Sequence, residues 1–374
     1  MSPITGAKRS GGKMMKKIHE PMTPPQKPTP GDTGMEQMPT IKPHPLDPGR
    51  RIRHSPTPLT SVDIGGITIS LQRTCRVPAG KTNSLPAGLG NFPIYRVSDY
   101  RSTAPSEWRD DGFFLPMYRQ EALWMSFLAS EPRALIIGAG QINAITGKQF
   151  RGRGGLDVRL EKEQNYVVAP PQPWLDGWKA EDGKVYQFVA AELGSGETVE
   201  GQIMGEETIG GIQLVTFAPK HHLPIAHRPR EHPIGGYSLG GGYPFMSEDG
   251  LKMYCLSSSG TTRGGFEVSS MGLGRGGEII QKIYPDPYGV DVWKTEPNAV
   301  EVLYLVSSED FARVTGFPAP PTPVTYEKYQ ELGIPWFELY DGHYGDTHGS
   351  GVFEKLKPVG EGKKTDKNLL NKLK

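Results

Sequence analysis

The sequence predicts a mainly β fold: an antiparallel sandwich or barrel-like domain with a few short helices and disordered termini. Three observations point there. The chain holds 48 glycines and 35 prolines in 374 residues, about twice the usual share, which favours many turns over long helices. Several short segments alternate apolar and polar side chains and are rich in β-branched residues, as strands are. Every Phe, Tyr and Trp lies within residues 61–353, so the core belongs to that span.

Residues 1–60 carry twelve prolines and no aromatic residue. Such a segment buries too little apolar surface to offset the entropy of ordering, and reads as a disordered, Pro-rich basic arm. "VDIGGITISLQRTCRV" then alternates like a half-buried strand. "ALIIGAGQINAITGKQF" (134–150) reads as a strand and hairpin. Within 185–217, "VYQFVAAEL", "ETVEGQIM" and "GGIQLVTFA" suggest three strands of an antiparallel meander with one wet face. Residues 235–277 are glycine-rich and are expected to include a long loop. "VEVLYLVSS" is a strand buried on both faces. "SEDFARVTG" has helix grammar, with Ser308 as N-cap, Asp310 in the first turn and Gly316 past the end. "TPVTYEKYQELG" repeats that grammar and ends at Gly333. Residues 61–354 thus form an acidic β-rich domain, with a candidate sub-domain break near 220–270. Residues 355–374 form a basic flexible tail.

Charge is unevenly placed. Residues 1–60 hold ten Lys/Arg against four Asp/Glu, and residues 355–374 hold seven against two. The body between them is left with a net charge of about −10, which argues against nucleic-acid binding by the folded part. Two cysteines, Cys75 and Cys255, allow one internal disulfide at most and show no metal-binding spacing; that count suits a reducing compartment. The basic N-terminus lacks the apolar stretch of a secretory signal, and no window approaches the length of a transmembrane span. The expectation is a soluble, cytoplasmic protein.

Longer stretches carry a resemblance. "MYRQEALWMSF", "NYVVAPPQPWLDG", "QFVAAELGSGETVEGQIMGEETIGGIQL", "MGLGRGGEIIQKIYPDPYGVDVW" and "PPTPVTYEKYQELGIPWFELYD" resemble segments of an uncharacterised family of β-rich proteins found in bacteria and microbial eukaryotes. The resemblance covers most of the acidic body and implies no activity. Some members carry the label of integral membrane protein, which the absence of any apolar span here puts in doubt.

Motifs that could carry chemistry lack their context. A Walker A loop needs four residues between its first glycine and Gly-Lys, then a hydroxyl residue. Here six residues separate Gly140 from Gly147, and Gln149 follows Lys148. A full G-x-G-x-x-G occurs at Gly272, Gly274 and Gly277, but Pro285 arrives too soon for the required helix; a loop entering a strand fits better. "GYSLG" matches the nucleophile elbow at Ser238, with Asp286 or Asp291 and His343 or His348 as triad partners downstream. Its flanks, "HRPREHPIG" and "GGYPFMSEDG", suit neither the strand nor the helix that the elbow requires.

Histidine offers the sharpest chemical possibility. His221, His222, His227 and His232 form one cluster, and His343 and His348 another. Converging imidazoles with Asp341 or Asp346 would hold zinc or iron, although Lys220, Arg228 and Arg230 raise the cost of a cation there. "PQPWLDGW" sets Trp174 and Trp178 around Asp176, a pattern that grips sugars or apolar partners when the indoles are exposed and core packing when they are not. The leading reading is a non-catalytic binding or structural protein of a protein or carbohydrate ligand, needing no cofactor. The alternatives are a metal-dependent enzyme at the histidines and a serine hydrolase at Ser238.

Overall fold

β1 (Val62–Ile64) and β2 (Ile67–Thr74) form a hairpin from the first alternating segment. Gly65 and Gly66 make its two-residue turn at φ +59° and +89°, a geometry that glycine adopts without steric cost. The computed structural model describes residues 56–150, 158–181, 183–226, 230–233, 268–340 and 344–361, the side chains of 230–233 and 338–340 excepted. Ser55–Lys374 is one compact unit. Residues 1–55 of the expected disordered arm, most of the basic tail and residues 234–267 lie outside the described residues; the arm's expected end at residue 60 is corrected, because Leu59 already pairs with Ile94.

Short strands β3 (Thr82–Asn83), β4 (Leu85–Pro86), β5 (Gly88–Asn91) and β6 (Tyr95–Arg96) follow the hairpin. β7 (Phe113–Met117), β8 (Ala122–Leu128) and β9 (Arg133–Ala139) are longer and almost wholly buried. Gly140 and Gln141, both at positive φ, then turn the chain into β10 (Ile142–Asn143). "ALIIGAGQIN" is therefore a hairpin. β11 (Val167–Ala169), β12 (Trp174–Leu175), β13 (Gly177–Lys179) and β14 (Lys184–Glu192) complete the first half.

α1 (Val199–Met204) corrects the expected meander, because its middle segment is a helix. Val199 and Ile203 are spaced for one face of either element, so alternation alone did not decide. The local polar groups do. The Thr198 hydroxyl accepts from Gly201 N at 2.9 Å, and Gly205 ends the helix at φ +80°. The flanking strands β14 and β15 (Ile212–Phe217) are not neighbours, and both are buried on both faces. No wet face exists there.

β16 (Arg230–Pro233), β17 (Ser270–Ile280) and β18 (Ala299–Ser307) follow. β17 is a second correction, since the G-x-G-x-x-G run, expected as a loop entering a strand, is itself strand from Ser270 onward. α2 (Ser308–Thr315) is capped by Ser307, one residue earlier than its sequence grammar suggests, with Asp310 N donating to the Ser307 hydroxyl at 3.1 Å. α3 (Tyr326–Glu331) is capped by Thr325, and β19 (Trp336–Tyr340) closes the described elements.

The main sheet has sixteen strands, nine of them along the path β1-β2-β8-β14-β17-β18-β15-β9-β10 and the rest paired beside it, and β16, β19 and β4 form a second sheet. Pairing is antiparallel except for β17 with β3 and β18 with β7. Alternate residues of the path strands, among them Ile69, Met125, Phe188, Leu273, Leu303, Leu214 and Ile137, belong to one apolar cluster. A sheet whose strands all send one face into the same core must curl, and the architecture is barrel-like. The other face is covered in patches. Phe150, Tyr166 and Trp293 lie over Ile136 and Val215, while Phe311 and Val314 of α2 lie over Phe114 and Val306. Double coverage explains why these strands read as continuous apolar runs. Among the described residues, no helix is long and apolar enough to cross a membrane.

Candidate functional site

The site begins with a bulge in the longest strand. Tyr186 pairs with Glu278 and Phe188 with Arg275, so Gly276 and Gly277 together oppose Gln187. A β-bulge kinks its strand and re-aims the side chains beside it. Glycine is required here by crowding. A Cβ on Gly276 would lie 2.9 Å from Gln187 O, and one on Gly277 would lie 2.5 Å from Pro78 O. The G-x-G-x-x-G pattern thus serves close strand packing, with no helix for a pyrophosphate.

Gln187 fills the resulting gap. Its amide donates to Cys75 O and accepts from Val77 N, each at 2.9 Å, which fixes the chain leading into residues 78–83. Asn83 then ties that loop to the strand, donating to Pro78 O, Lys81 O and Glu278 O at 2.9–3.1 Å. Two buried amides therefore hold a short loop over a bulged strand.

Between loop and strand lies a cavity of about 300 Å³. Ala79, Gly80, Gly276 and Gly277 give it small walls, and Lys81, Thr82, Tyr186, Arg275 and Glu278 give it chemistry. The Arg275 guanidinium carbon sits 3.8 Å from the centre of the Tyr186 ring. This cation–π stack holds the fork in one plane. Its buried Nε–H has no hydrogen-bond partner among the described residues. Glu278 is already matched by Lys184 at 3.0 Å and by the Thr82 hydroxyl. Partial burial pushes the Glu278 carboxyl up, but the bonds from Thr82 and Lys184 and the charges of Lys184 and Arg275 outweigh it, holding the group below its usual range. Among the described residues Lys81 donates to a neutral group, the Tyr326 hydroxyl at 3.1 Å, and lies over that ring. Arg275 and Lys81 are left as positive charge facing a cavity on an acidic body.

Family models, curated proteins and solved structures hold no match to this chain.

The residues singled out in the sequence lie elsewhere. Trp174, Asp176 and Trp178 do come together, but inside, at 6, 2 and 0% exposure. Gln281 accepts from Asp176 N and donates to Asp176 Oδ2, both at 2.9 Å, and Trp178 Nε1 donates to Gly274 O. Indoles so enclosed cannot stack on a sugar, which corrects that candidate site in favour of core packing. His221 and His222 are exposed after β15, and His348 is exposed on the segment 344–351. The His232 side chain, His227, His343 and the candidate nucleophile Ser238 lie outside the described residues. Among the described residues no group of three His, Cys, Asp or Glu is placed to hold a metal. Asp286, a candidate triad acid, instead accepts from Tyr166 Oη and Trp293 Nε1 at 2.7 Å.

Sequence reasoning passed over Arg275. The available signal was a lone cation within "MGLGRGGEII", where alternation after Met271 and Leu273 calls for another core residue.

Proposed function

We propose that this is a non-catalytic binding protein whose ligand carries a carboxylate or phosphate group held by Arg275 and Lys81. One observation carries the reading: a guanidinium pre-oriented on Tyr186, its Nε–H without a partner among the described residues, lines a cavity of about 300 Å³. An arginine fork matches planar oxyanions, and an ordered fork loses less entropy on binding. The cavity is at the small end of ligand-site volumes, which suits a small molecule. Binding is favoured over catalysis by the state of Glu278. A carboxylate held below its usual pKa is a weak base, and efficient general bases sit nearer the working pH.

Calorimetric titration with inorganic phosphate and with succinate tests this. Saturable binding of either is expected, weakened at least about tenfold in Arg275→Met and partly restored in Arg275→Lys, with circular dichroism unchanged. Equal affinity in wild type and Arg275→Met, or no binding of either probe, overturns the reading.

A further inference from the structure

A second cleft lies where the sequence first suggested a phosphate loop. It holds about 420 Å³ between the turn carrying Thr146 and Lys148, the segment around Lys162 and Glu163, and the strap 347–351.

Each wall is anchored by polar side chains bonded to backbone groups. Asn143 Oδ1 accepts from Ile145 N and Thr146 N at 2.9 and 3.0 Å. The Gln164 amide donates to Tyr284 O at 3.0 Å and accepts from Asp286 N at 2.7 Å. Asp346 accepts from Gly183 N and Ile283 N, and Lys179 Nζ donates to it at 2.6 Å. The Lys179 backbone joins two walls, donating to Ala144 O and accepting from Ser350 N. Gly349 lies so close to Ala180 O that a Cβ would stand 1.9 Å from it.

Charge decides what such a cleft can hold. Lys148 bridges Glu161 at 3.0 Å and Glu163 at 3.5 Å. With Lys162 beside them the four charges cancel, and Glu163 lines the cleft itself. An anion entering here meets the Glu163 carboxylate. Every lining side chain is polar or absent, so an apolar ligand gains nothing. Meanwhile the Lys162 amine, the Thr347 hydroxyl and the His348 ring have no partner within the described protein. The cleft offers donors and acceptors together, with charges of both signs.

We propose that this cleft binds a neutral polyhydroxylated ligand, a sugar or polyol, whose hydroxyls donate to Glu163 and accept from Lys162, Thr347 and His348. Such a ligand both donates and accepts at each oxygen, and it leaves the Lys148 bridge intact. The site is independent of the one at Arg275.

Saturation-transfer NMR on the full chain, with D-glucose, D-mannose, myo-inositol, glycine and inorganic phosphate as separate probes, tests the assignment. At least one polyol is expected to bind, with affinity unchanged from low salt to about 0.5 M, where charge-driven binding is screened. A double variant, Glu163→Gln with Lys162→Met, changes only surface side chains and is expected to weaken it about tenfold. Arg275→Met leaves polyol binding untouched. No polyol signal, an indifferent double variant, or phosphate or glycine competing for the cleft overturns the assignment; loss of phosphate binding in Arg275→Met alone leaves it standing.

Discussion

Lys179 Nζ donates to Asp346 Oδ2 at 2.6 Å, with the lysine side chain wholly buried and the carboxylate keeping 19% of its surface. The two partners are therefore unequal. Asp346→Asn removes a countercharge that accepts from an enclosed ammonium at 2.6 Å and is expected to cost about 3 kcal/mol. Lys179→Met leaves a partly exposed carboxylate that still accepts two backbone N–H groups, and is expected to cost about half as much. Denaturant midpoints of the two variants check the order. Equal losses would show that the pair acts symmetrically and that the burial asymmetry has no energetic weight.

The bulge at Gly276–Gly277 makes a separate forecast. Gly276→Ala places a methyl 2.6 Å from Val189 Cγ2 and 2.9 Å from Gln187 O, and the backbone oxygen cannot rotate away. Overpacking of this kind costs about 1–3 kcal/mol. Gly345→Ala is the control: its nearest contact is Pro285 Cγ at 3.7 Å, and its φ lies outside the left-handed region. That change is expected to be neutral or slightly stabilising, through the unfolded chain. Thermal melts of both variants suffice.

These glycines also show where sequence reading stops. β2, β14, β15 and β18 were legible because their residues alternate or run apolar over strand lengths, and α2 and α3 because caps and closing glycines are local signals. α1 was not, since Val199 and Ile203 fit either period and Thr198 hid its role as cap. Nothing local announces that β14 pairs with β17, some 80 residues later in the chain. The Arg275 cavity needs that pairing, the bulge and the 78–83 loop at once, three relations set by tertiary contact. Trp174, Asp176 and Trp178 illustrate the opposite limit, a local pattern open to two readings. Their spacing is local, but their meaning turned on Gln281, whose side chain satisfies Asp176 from the residue that follows β17.

High pH should unfold this protein early. Burial pushes the Cys75 thiol up to about 12, with help from Glu327, and burial with Tyr95 and Asp99 pushes Tyr100 up to about 12. Tyr166 and Tyr329 are raised further, burial again leading. All four are neutral when protonated. Above pH ~8.5 for the thiol and ~10 for the phenols, the unfolded chain loses protons that the native state retains. Stability is then fully present below those values and is lost as pH rises through 9 toward 12. Urea midpoints across that range should fall steadily, while phenolate absorbance in native buffer lags behind that of the denatured chain. In parallel, iodoacetamide at pH 8 should leave Cys75 unmodified until the protein is denatured, because the thiolate is the reactive form. Rapid native labelling of the Cys75 peptide would contradict its burial.

The tryptophans test the core-packing reading of "PQPWLDGW" directly. Trp108, Trp124, Trp174, Trp178 and Trp293 are all at or below 6% exposure, so five of the six indoles in the chain sit away from water. Emission should be blue-shifted, and iodide, which needs collision with the ring, should quench little of it. Trp178→Phe keeps most of the packing against Phe188 and Phe353 but removes the donor to Gly274 O. It is expected to cost about 1–3 kcal/mol, the range for an unpaired buried polar group plus a small void, with polyol and phosphate affinity unchanged. Strong iodide quenching, or loss of polyol binding in Trp178→Phe with stability intact, would return these indoles to the surface and restore them as a sugar platform.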